Sequence, residues 1–87
     1  MIIDFHKDFQ KRYRKLNQKI KIKVDDAIKK FRGDPFGITL RNHALTGQMH
    51  GKRAFWVTGD IRIIFEEHDN YIVVIMLDVG THNQVYN

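Results

Sequence analysis

The sequence predicts an α+β domain in which one strand is followed by two helices and then by three strands, in the order β-α-α-β-β-β. In the first half, two segments have apolar residues at the spacing of an amphipathic helix; in the second, three β-rich runs are joined by short turns. We expect an antiparallel sheet with the helical hairpin packed on one face and the other face partly open. At 87 residues the chain has the length of a single domain, spanning residues 1–87.

The first half predicts a strand and two helices. Residues 1–5 are short, apolar and rich in isoleucine, which is typical of a strand. Two sets of apolar residues then repeat at intervals of four, four and three, the period of a helix with one buried side. Asn17 separates the helices as a break and N-cap, and Gly33 with Pro35 ends the second helix. The two sets are Phe5, Phe9, Tyr13 and Leu16, and then Ile20, Val24, Ile28 and Phe31.

The second half predicts an irregular segment and a three-stranded meander. Residues 36–49 are less regular, with turn signals at Gly37 and Gly47 and room for one short extended piece. The connections between the later runs have the length of hairpin turns. Strands are predicted at residues 52–57, 61–67 and 71–79, with turns at residues 58–60 and 68–70.

A polar stretch follows the last and most apolar strand. Gly80 is expected to end that strand, because glycine accepts backbone conformations that other residues resist. Hydrogen-bonding side chains at the end of a core strand favour a binding or catalytic edge, and a frayed polar C-terminus is the alternative. In a single helical turn, His82 and Tyr86 would face the same way. The polar residues are Thr81, His82, Asn83, Gln84 and Tyr86.

Strand parity governs where two further side chains point. Apolar residues at positions 61, 63 and 65 alternate with Arg62, so Arg62 is expected on the open face. There it could bind an anion or form an ion pair with Glu66 or Asp60. A two-residue turn at positions 59–60 would direct Trp56 to the core, whereas a three-residue turn at positions 58–60 would place it beside Arg62.

Positive charge is concentrated in the helical half. The net charge is +5 and the sequence pI is about 9.7. Residues 1–34 contain eleven Lys and Arg against five Asp and Glu, whereas residues 35–87 contain four against five. This asymmetry favours a polyanionic partner such as nucleic acid, contacted mainly through the first half. A solvated, lysine-rich helix face is the alternative.

Several functional classes lack support in the sequence. The absence of cysteine excludes disulfides, thiol catalysis and cysteine-based zinc sites, and it fits a cytoplasmic protein. We expect no membrane span and no secretory signal. The histidines lack the spacing of a helical zinc site, and no nucleotide-cofactor motif is present, so no metal or cofactor is expected. His43 and His82 both flank the meander and are candidates for acid–base chemistry.

Four short motifs carry a resemblance to a known family. They are H-x-L-x-G at residues 43–47, G-x-R at residues 51–53, D-x-R-I-I-F at residues 60–65 and G-T-H-x-x-V-Y at residues 80–86. Together with the element order, they make the full chain resemble the RelE superfamily of type II toxin–antitoxin toxins, in particular its YafQ-like branch. The terminal motif combined with His43 is the most specific part of the resemblance.

The resemblance implies a RelE-like fold and a particular activity. Family members look like small endoribonucleases that cleave mRNA on the ribosome without a metal ion, and each is held inactive by a cognate antitoxin protein. The implied partners are therefore an antitoxin, the ribosome with its rRNA, and mRNA. No membrane is expected among the partners.

The resemblance also implies roles for individual residues. His82 corresponds to a general acid toward the leaving 5′ oxygen, and His43 to a candidate general base for the 2′-hydroxyl. Asp60 corresponds to a functional aspartate, and Arg62 to an arginine that contacts the scissile phosphate. Tyr86 corresponds to a terminal aromatic residue that positions RNA. Further substrate-binding residues are expected at Lys52, Arg53 and Trp56.

Trp56 departs from the family pattern. YafQ itself has a histidine at this position, so this chain lacks one of the candidate proton-transfer residues that the resemblance would otherwise imply. A tryptophan there could instead stack on an unpaired base, as aromatic side chains do in RNA recognition.

Two other functions compete with mRNA cleavage. ParE-like relatives share the fold and look like inhibitors of DNA gyrase, and a fold does not determine a function. Such an inhibitor would need neither His43 nor His82. An inactive RNA-binding or antitoxin-titrating module would bind RNA in a salt-sensitive way without cutting it.

Overall fold

The computed structural model describes residues 1–86 and shows a five-stranded sheet with two long helices on one face. Asn87, the last residue of the C-terminal polar stretch, lies outside the described residues. The predicted α+β class and the order of its main elements are confirmed. The strands are β1 (Ile2–Phe5), β2 (His43–Ala44), β3 (Arg53–Trp56), β4 (Ile61–His68) and β5 (Val73–Thr81). The helices are α1 (Lys7–Lys15), α2 (Gln18–Gly33) and α3 (His82–Tyr86), with 3₁₀ turns at Ile38–Leu40 and Gly47–Met49.

The sheet is mixed, which differs from the antiparallel sheet expected from the sequence. Its strand order is β1-β5-β4-β3-β2, in which β2 to β5 pair antiparallel as neighbours. β1 lies at the opposite edge and runs parallel to β5, with Ile2 opposite Val73 and Phe5 opposite Met76. Parallel neighbours need a long crossover, and α1 and α2 belong to that crossover. The pairing of β1 is thus decided by a connection much longer than a hairpin turn.

Side-chain caps define where the two long helices begin. The Nδ1 atom of His6 accepts a hydrogen bond from the Asp8 amide at 3.1 Å, so α1 starts after His6 and Phe5 belongs to β1 rather than to the helix. The Asn17 side chain accepts from the Ile20 amide at 2.9 Å and caps α2, as the sequence predicted. Each cap satisfies an amide at the helix start that has no partner within the helix.

Two apolar clusters pack against the two faces of the sheet. The larger cluster lies between the sheet and the helices. There the centroid of the Phe31 ring lies 4.6 Å from that of Phe55 and 5.0 Å from that of Phe65. The smaller lies on the other face, where Val85 of α3 packs with Leu45, Ala54 and Ile64. The second face is therefore partly covered by α3, and the remainder of it is open.

The ends of β4 and β5 differ from the sequence prediction. The turn after β4 comprises Asp69, Asn70 and Tyr71, all with positive φ, so His68 still belongs to β4 and β5 begins only at Val73. At the other end, β5 continues through Gly80 to Thr81, so Gly80 does not break the strand. A Cβ atom at Gly80 would lie 2.6 Å from the Gln84 Oε1 atom, so glycine at this position allows the close approach of the Gln84 side chain.

Candidate active site

An open cleft of about 670 Å³ lies on the face of the sheet that α1 and α2 leave uncovered. It brings together five of the eight predicted site residues, and none of the described residues that line it is acidic. A larger cleft of about 850 Å³ between β1 and the helices contains none of the eight, so the side-chain chemistry singles out the smaller one. The five residues are His43, Trp56, Arg62, His82 and Tyr86.

The terminal helix α3 presents His82 and Tyr86 to the cleft. The Thr81 amide donates to the Gln84 side-chain oxygen at 2.9 Å, and the Gln84 amide donates to the Thr81 hydroxyl at 3.3 Å. This reciprocal pair is a capping box, which stabilises the start of a helix. Val85 is 6% exposed and anchors the turn in the smaller apolar cluster. Residues His82–Tyr86 therefore form a helical turn that is capped at its start and anchored in the core.

His82 and Tyr86 lie on the same side of that turn. Their ring centroids are 4.5 Å apart in an edge-to-face arrangement, as the spacing of four residues predicted. Burial raises the pKa of the Tyr86 hydroxyl above its ordinary value, and the nearby Arg62 guanidinium opposes that shift. Tyr86 is therefore neutral at pH 7 and can donate a hydrogen bond, while the exposed His82 ring is accessible to a ligand.

His43 is held in one orientation by the backbone two residues earlier. It lies in β2 opposite Ala54, and its Nδ1 atom is 2.7 Å from the Arg41 carbonyl oxygen. A carbonyl oxygen can only accept, so Nδ1 is the protonated nitrogen of the neutral ring. This leaves the Nε2 lone pair of His43 available to accept a proton.

Trp56 and Arg62 form the floor of the cleft. The β3–β4 register pairs Trp56 with Arg62, and the Val57 amide bonds to the Ile61 carbonyl, so the turn has three residues and both side chains lie on the same face. The Arg62 guanidinium carbon lies 4.0 Å from the Trp56 ring centroid, within cation–π distance. The same guanidinium donates to the carbonyl oxygens of Thr58 at 3.0 Å and Gly59 at 3.1 Å. Arg62 forms no ion pair with Glu66 or Asp60.

Arg41 is a cleft residue that the sequence reasoning missed. Its guanidinium carbon lies 4.5 Å from the Trp56 ring centroid. Its backbone is left-handed, with φ 50° and ψ 44°, a conformation that costs a non-glycine residue roughly 1–2 kcal/mol. The half of the chain from residue 35 has four basic residues, and the other three were all singled out from the sequence. The charge itself was thus a visible signal, but the contact with Trp56 was not.

Three predicted site residues lie outside the cleft, so their roles stay predictions. Asp60 is exposed in the β3–β4 turn. Arg53 faces the helix side of β3, where its Nε atom donates to the Asn42 side chain at 2.9 Å. Lys52 lines a neighbouring hollow together with Glu66. Strand parity explains Arg53, because residues 53 and 55 share one face of β3 and residues 54 and 56 share the other.

The described residues offer no candidate metal centre. Within residues 1–86, no three His, Cys, Asp or Glu side chains are grouped so that they could hold a metal ion. No helix in the same range has the length and apolar character that a membrane crossing requires.

A known family matches this chain in sequence pattern, and solved structures match it in fold. No curated protein sequence matches it. YafQ from Escherichia coli BL21(DE3) superposes with a TM-score of 0.82 at 18% identity, covering 98% of this chain and 97% of that one. The YoeB/ParE toxin from Agrobacterium tumefaciens has a TM-score of 0.77 at 16% identity, covering 94% and 99%.

A toxin–antitoxin complex is also among the similar structures. The E. coli DinJ–YafQ complex has a TM-score of 0.78 at 18% identity, covering 98% of this chain and 96% of the matched chain. At these identities the structural matches show the fold alone. The family described as the bacterial toxin of type II toxin–antitoxin systems, YafQ, matches residues 1–87. This chain therefore belongs to the YafQ family of type II toxins and has a RelE-like fold.

Proposed function

We propose that this protein is an endoribonuclease that cleaves mRNA on the ribosome, and that this cleavage is its toxic activity. One observation carries the proposal: His43, His82 and Arg62 face the same cleft. Among residues 1–86, Arg62 has no carboxylate partner. Membership of a toxin family and the positive charge of the chain support the same conclusion.

The proposed reaction uses the 2′-hydroxyl of the RNA as the nucleophile. The Nε2 atom of His43 takes the 2′-hydroxyl proton, and the 2′ oxygen forms a bond to the adjacent phosphorus. The bond from phosphorus to the 5′ oxygen breaks, and His82 gives that oxygen a proton. The products are a 2′,3′-cyclic phosphate and a 5′-hydroxyl. A positioned acid or base is typically worth about 10²–10⁴-fold in rate.

Arg62 and Tyr86 would stabilise the charge that develops on the phosphate. Arg62 is held in advance by two backbone carbonyls and the Trp56 ring, so it needs little reorganisation during the reaction. Tyr86, neutral at pH 7, can donate its hydroxyl proton to a phosphate oxygen or pack against a base.

We propose two kinds of macromolecular partner. The first 34 residues hold eleven of the fifteen Lys and Arg, so the outer surfaces of α1 and α2 are suited to the phosphates of rRNA. A cognate antitoxin would hold the toxin inactive, by analogy with the E. coli complex of YafQ with DinJ. A protein with these partners would act in the cytoplasm.

The test is to map new 5′ ends on cellular mRNA after brief expression. The wild type should produce cuts in register with the reading frame, with 5′-hydroxyl ends. We expect His82→Ala and His43→Ala each to lower cleavage by about 10²–10⁴-fold. Arg62→Ala should cost about 10²–10³-fold, by analogy with the loss of one oxyanion donor.

His68→Ala is the matched control for the histidine variants. His68 is exposed at the far end of β4 from Arg62, and its ring lies 3.8 Å from the Glu66 carboxylate. We expect cleavage by this variant to equal that of the wild type. Cutting by a folded His82→Ala variant at the wild-type rate would remove His82 from the mechanism.

Two other results would assign a different function. Growth arrest with intact mRNA, together with inhibition of supercoiling by purified DNA gyrase, would establish the ParE-like alternative. Binding of RNA without cutting or growth arrest would establish an inactive module. In either case the two histidines would have no catalytic role.

A further inference from the structure

Two arginine side chains contact the Trp56 ring on the floor of the cleft. Trp56 belongs to β3, which lies between β4 and β2 in the sheet. Arg62 reaches its ring from β4, and Arg41 reaches it from the segment just before β2. The two guanidinium carbons lie 4.0 Å and 4.5 Å from the ring centroid. The ring is therefore flanked by cations from the elements on both sides of its strand.

The two cations differ in the partners that they already have. Arg62 donates to the carbonyl oxygens of Thr58 and Gly59. Within residues 1–86, the Arg41 side chain has no hydrogen-bond acceptor and no carboxylate within salt-bridge distance, so its five donors face solvent and the cleft. A guanidinium held against an aromatic ring with its donors free is suited to bind a phosphate.

The backbone of Arg41 serves the same site. Its left-handed conformation accompanies both the carbonyl contact to His43 and the side-chain contact to Trp56. Residues held in such sparsely populated conformations are found disproportionately at functional sites. One residue thus orients the proposed base through its carbonyl oxygen and presents a cation through its side chain.

We infer that Arg41 is a second phosphate-binding residue of the cleft, and that Trp56 is the positioning residue that holds Arg41 and Arg62 apart. Because Arg62 is assigned to the scissile phosphate, Arg41 takes a neighbouring phosphate of the same strand. Trp56 then acts by fixing two cations, in place of stacking on a base. The identity of the ligand as single-stranded RNA rests on the proposed function.

The binding test uses salt dependence, because each phosphate contact releases counterions. The probe is a short single-stranded RNA with 2′-fluoro sugars, which lacks the nucleophile and cannot be cut. We expect Arg41→Ala to reduce the slope of log Kd against log salt concentration by about 0.7, the value for one contact to a single strand. Arg41→Lys retains the charge and should retain the slope.

Arg14→Ala is the comparison variant, because it removes the same charge from an exposed position on α1, beside the other cleft and on the surface proposed for rRNA. It measures the loss due to general charge attraction, and its slope should fall less than that of Arg41→Ala. Trp56 is the single tryptophan of the chain, so its fluorescence reports the stack directly. Binding of the probe should change the Trp56 emission in the wild type, and Arg41→Ala should abolish most of that change.

A kinetic measurement separates the two roles. Arg41→Ala should raise KM about tenfold and leave kcat within about threefold, since a remote phosphate contact is made equally in the ground and transition states. Trp56→Leu should raise KM and lower kcat, because both guanidiniums lose their support, and Trp56→Phe should restore part of each.

An unchanged salt slope in a folded Arg41→Ala protein would overturn the inference, even if the wild type cleaves mRNA. Conversely, a wild type that binds the probe but cuts no RNA would refute the proposed function, and the slope would still decide the role of Arg41. Equal losses in Arg41→Ala and Arg14→Ala would show general charge attraction and would also overturn the inference.

Discussion

Replacing Gly80 by alanine tests how α3 is held against the sheet. The added Cβ atom would lie 2.6 Å from the Gln84 Oε1 atom, 3.2 Å from the Gln84 Cβ atom and 3.4 Å from the Arg12 Cδ atom. The oxygen belongs to a flexible side chain and can move away, but it is also the acceptor for the Thr81 amide at 2.9 Å. The alanine can therefore be accommodated only if the cap of α3 is lost or the helical turn shifts.

The magnitude follows from these two contacts. Loss of a helix cap costs about 1 kcal/mol, and the tight approach of the two Cβ atoms adds about 1 kcal/mol of overpacking strain. We expect Gly80→Ala to lower the free energy of unfolding by roughly 2 kcal/mol, which in a domain of this size lowers Tm by roughly 10 °C. His82 is carried by the shifted turn, so cleavage should fall by roughly 10–100-fold in the folded protein.

The assay is urea unfolding followed by circular dichroism, together with mapping of mRNA ends. Gly33→Ala is the matched control, because nothing lies within 4 Å of a Cβ atom built at Gly33, near the end of α2. That variant should be as stable as the wild type or more stable by about 0.5–1 kcal/mol, since alanine favours the helix.

A second substitution identifies the obstructing residue. Gln84→Ala alone should cost about 1 kcal/mol through the lost cap. The double variant of Gly80 and Gln84 should lose less stability than the two single variants together, because the displaced oxygen is absent. Wild-type stability and cleavage in Gly80→Ala would refute the reasoning, and strictly additive losses would show that Gln84 is not the obstacle.

Three further predictions concern stability. The Tyr13 hydroxyl donates a hydrogen bond to the Asp25 carboxylate at 2.7 Å. This bond, followed by burial and the negative charge of Asp25, raises the Tyr13 pKa above its ordinary value of 10.0. The native state therefore binds the hydroxyl proton more tightly than the unfolded chain does. Its contribution to stability is present below about pH 10 and lost as the pH rises through the folded pKa, so Tyr13→Phe should flatten the alkaline fall of the urea midpoint. Asp78→Asn should lower the free energy of unfolding by about 1 kcal/mol by breaking its partly exposed pair with Arg12, and an equal loss at 1 M salt would argue against an ion pair. Phe31→Ala should cost roughly 3–5 kcal/mol in denaturant unfolding because it empties the centre of the larger cluster, and a loss below about 1 kcal/mol would show that the neighbouring rings refill the space.

Short-range features could be predicted from the sequence because they depend on a few neighbouring residues. The cap at Asn17 needs only its own side chain and an amide three residues later. The shared side of His82 and Tyr86 needs only one helical turn. The position of Arg62 on the open face follows from strand alternation, and the hydrophobic periods were sufficient to predict the two long helices and the three-stranded meander.

The side of the sheet on which Trp56 lies could not be predicted from neighbouring residues. Its face depended on whether the turn to β4 had two or three residues, and the two choices place the ring on opposite sides of the sheet. The structure has the three-residue turn. In it, the Thr58 hydroxyl oxygen accepts hydrogen bonds from the backbone amides of Asp60 and Ile61. Serine and threonine make such local bonds only weakly, so the sequence alone did not select between the two turns.

The sequence by itself determined the main elements, the open face and the residue types that are candidates for the site. The tertiary structure alone decided which of those residues meet: it paired β1 with β5, brought Arg41 to Trp56 and left Asp60 outside the cleft. It also assigned Gly80 to a close approach instead of a strand end. The physical reason is that periods and caps act over a few residues, whereas these contacts join segments distant in the chain and depend on how the whole core packs.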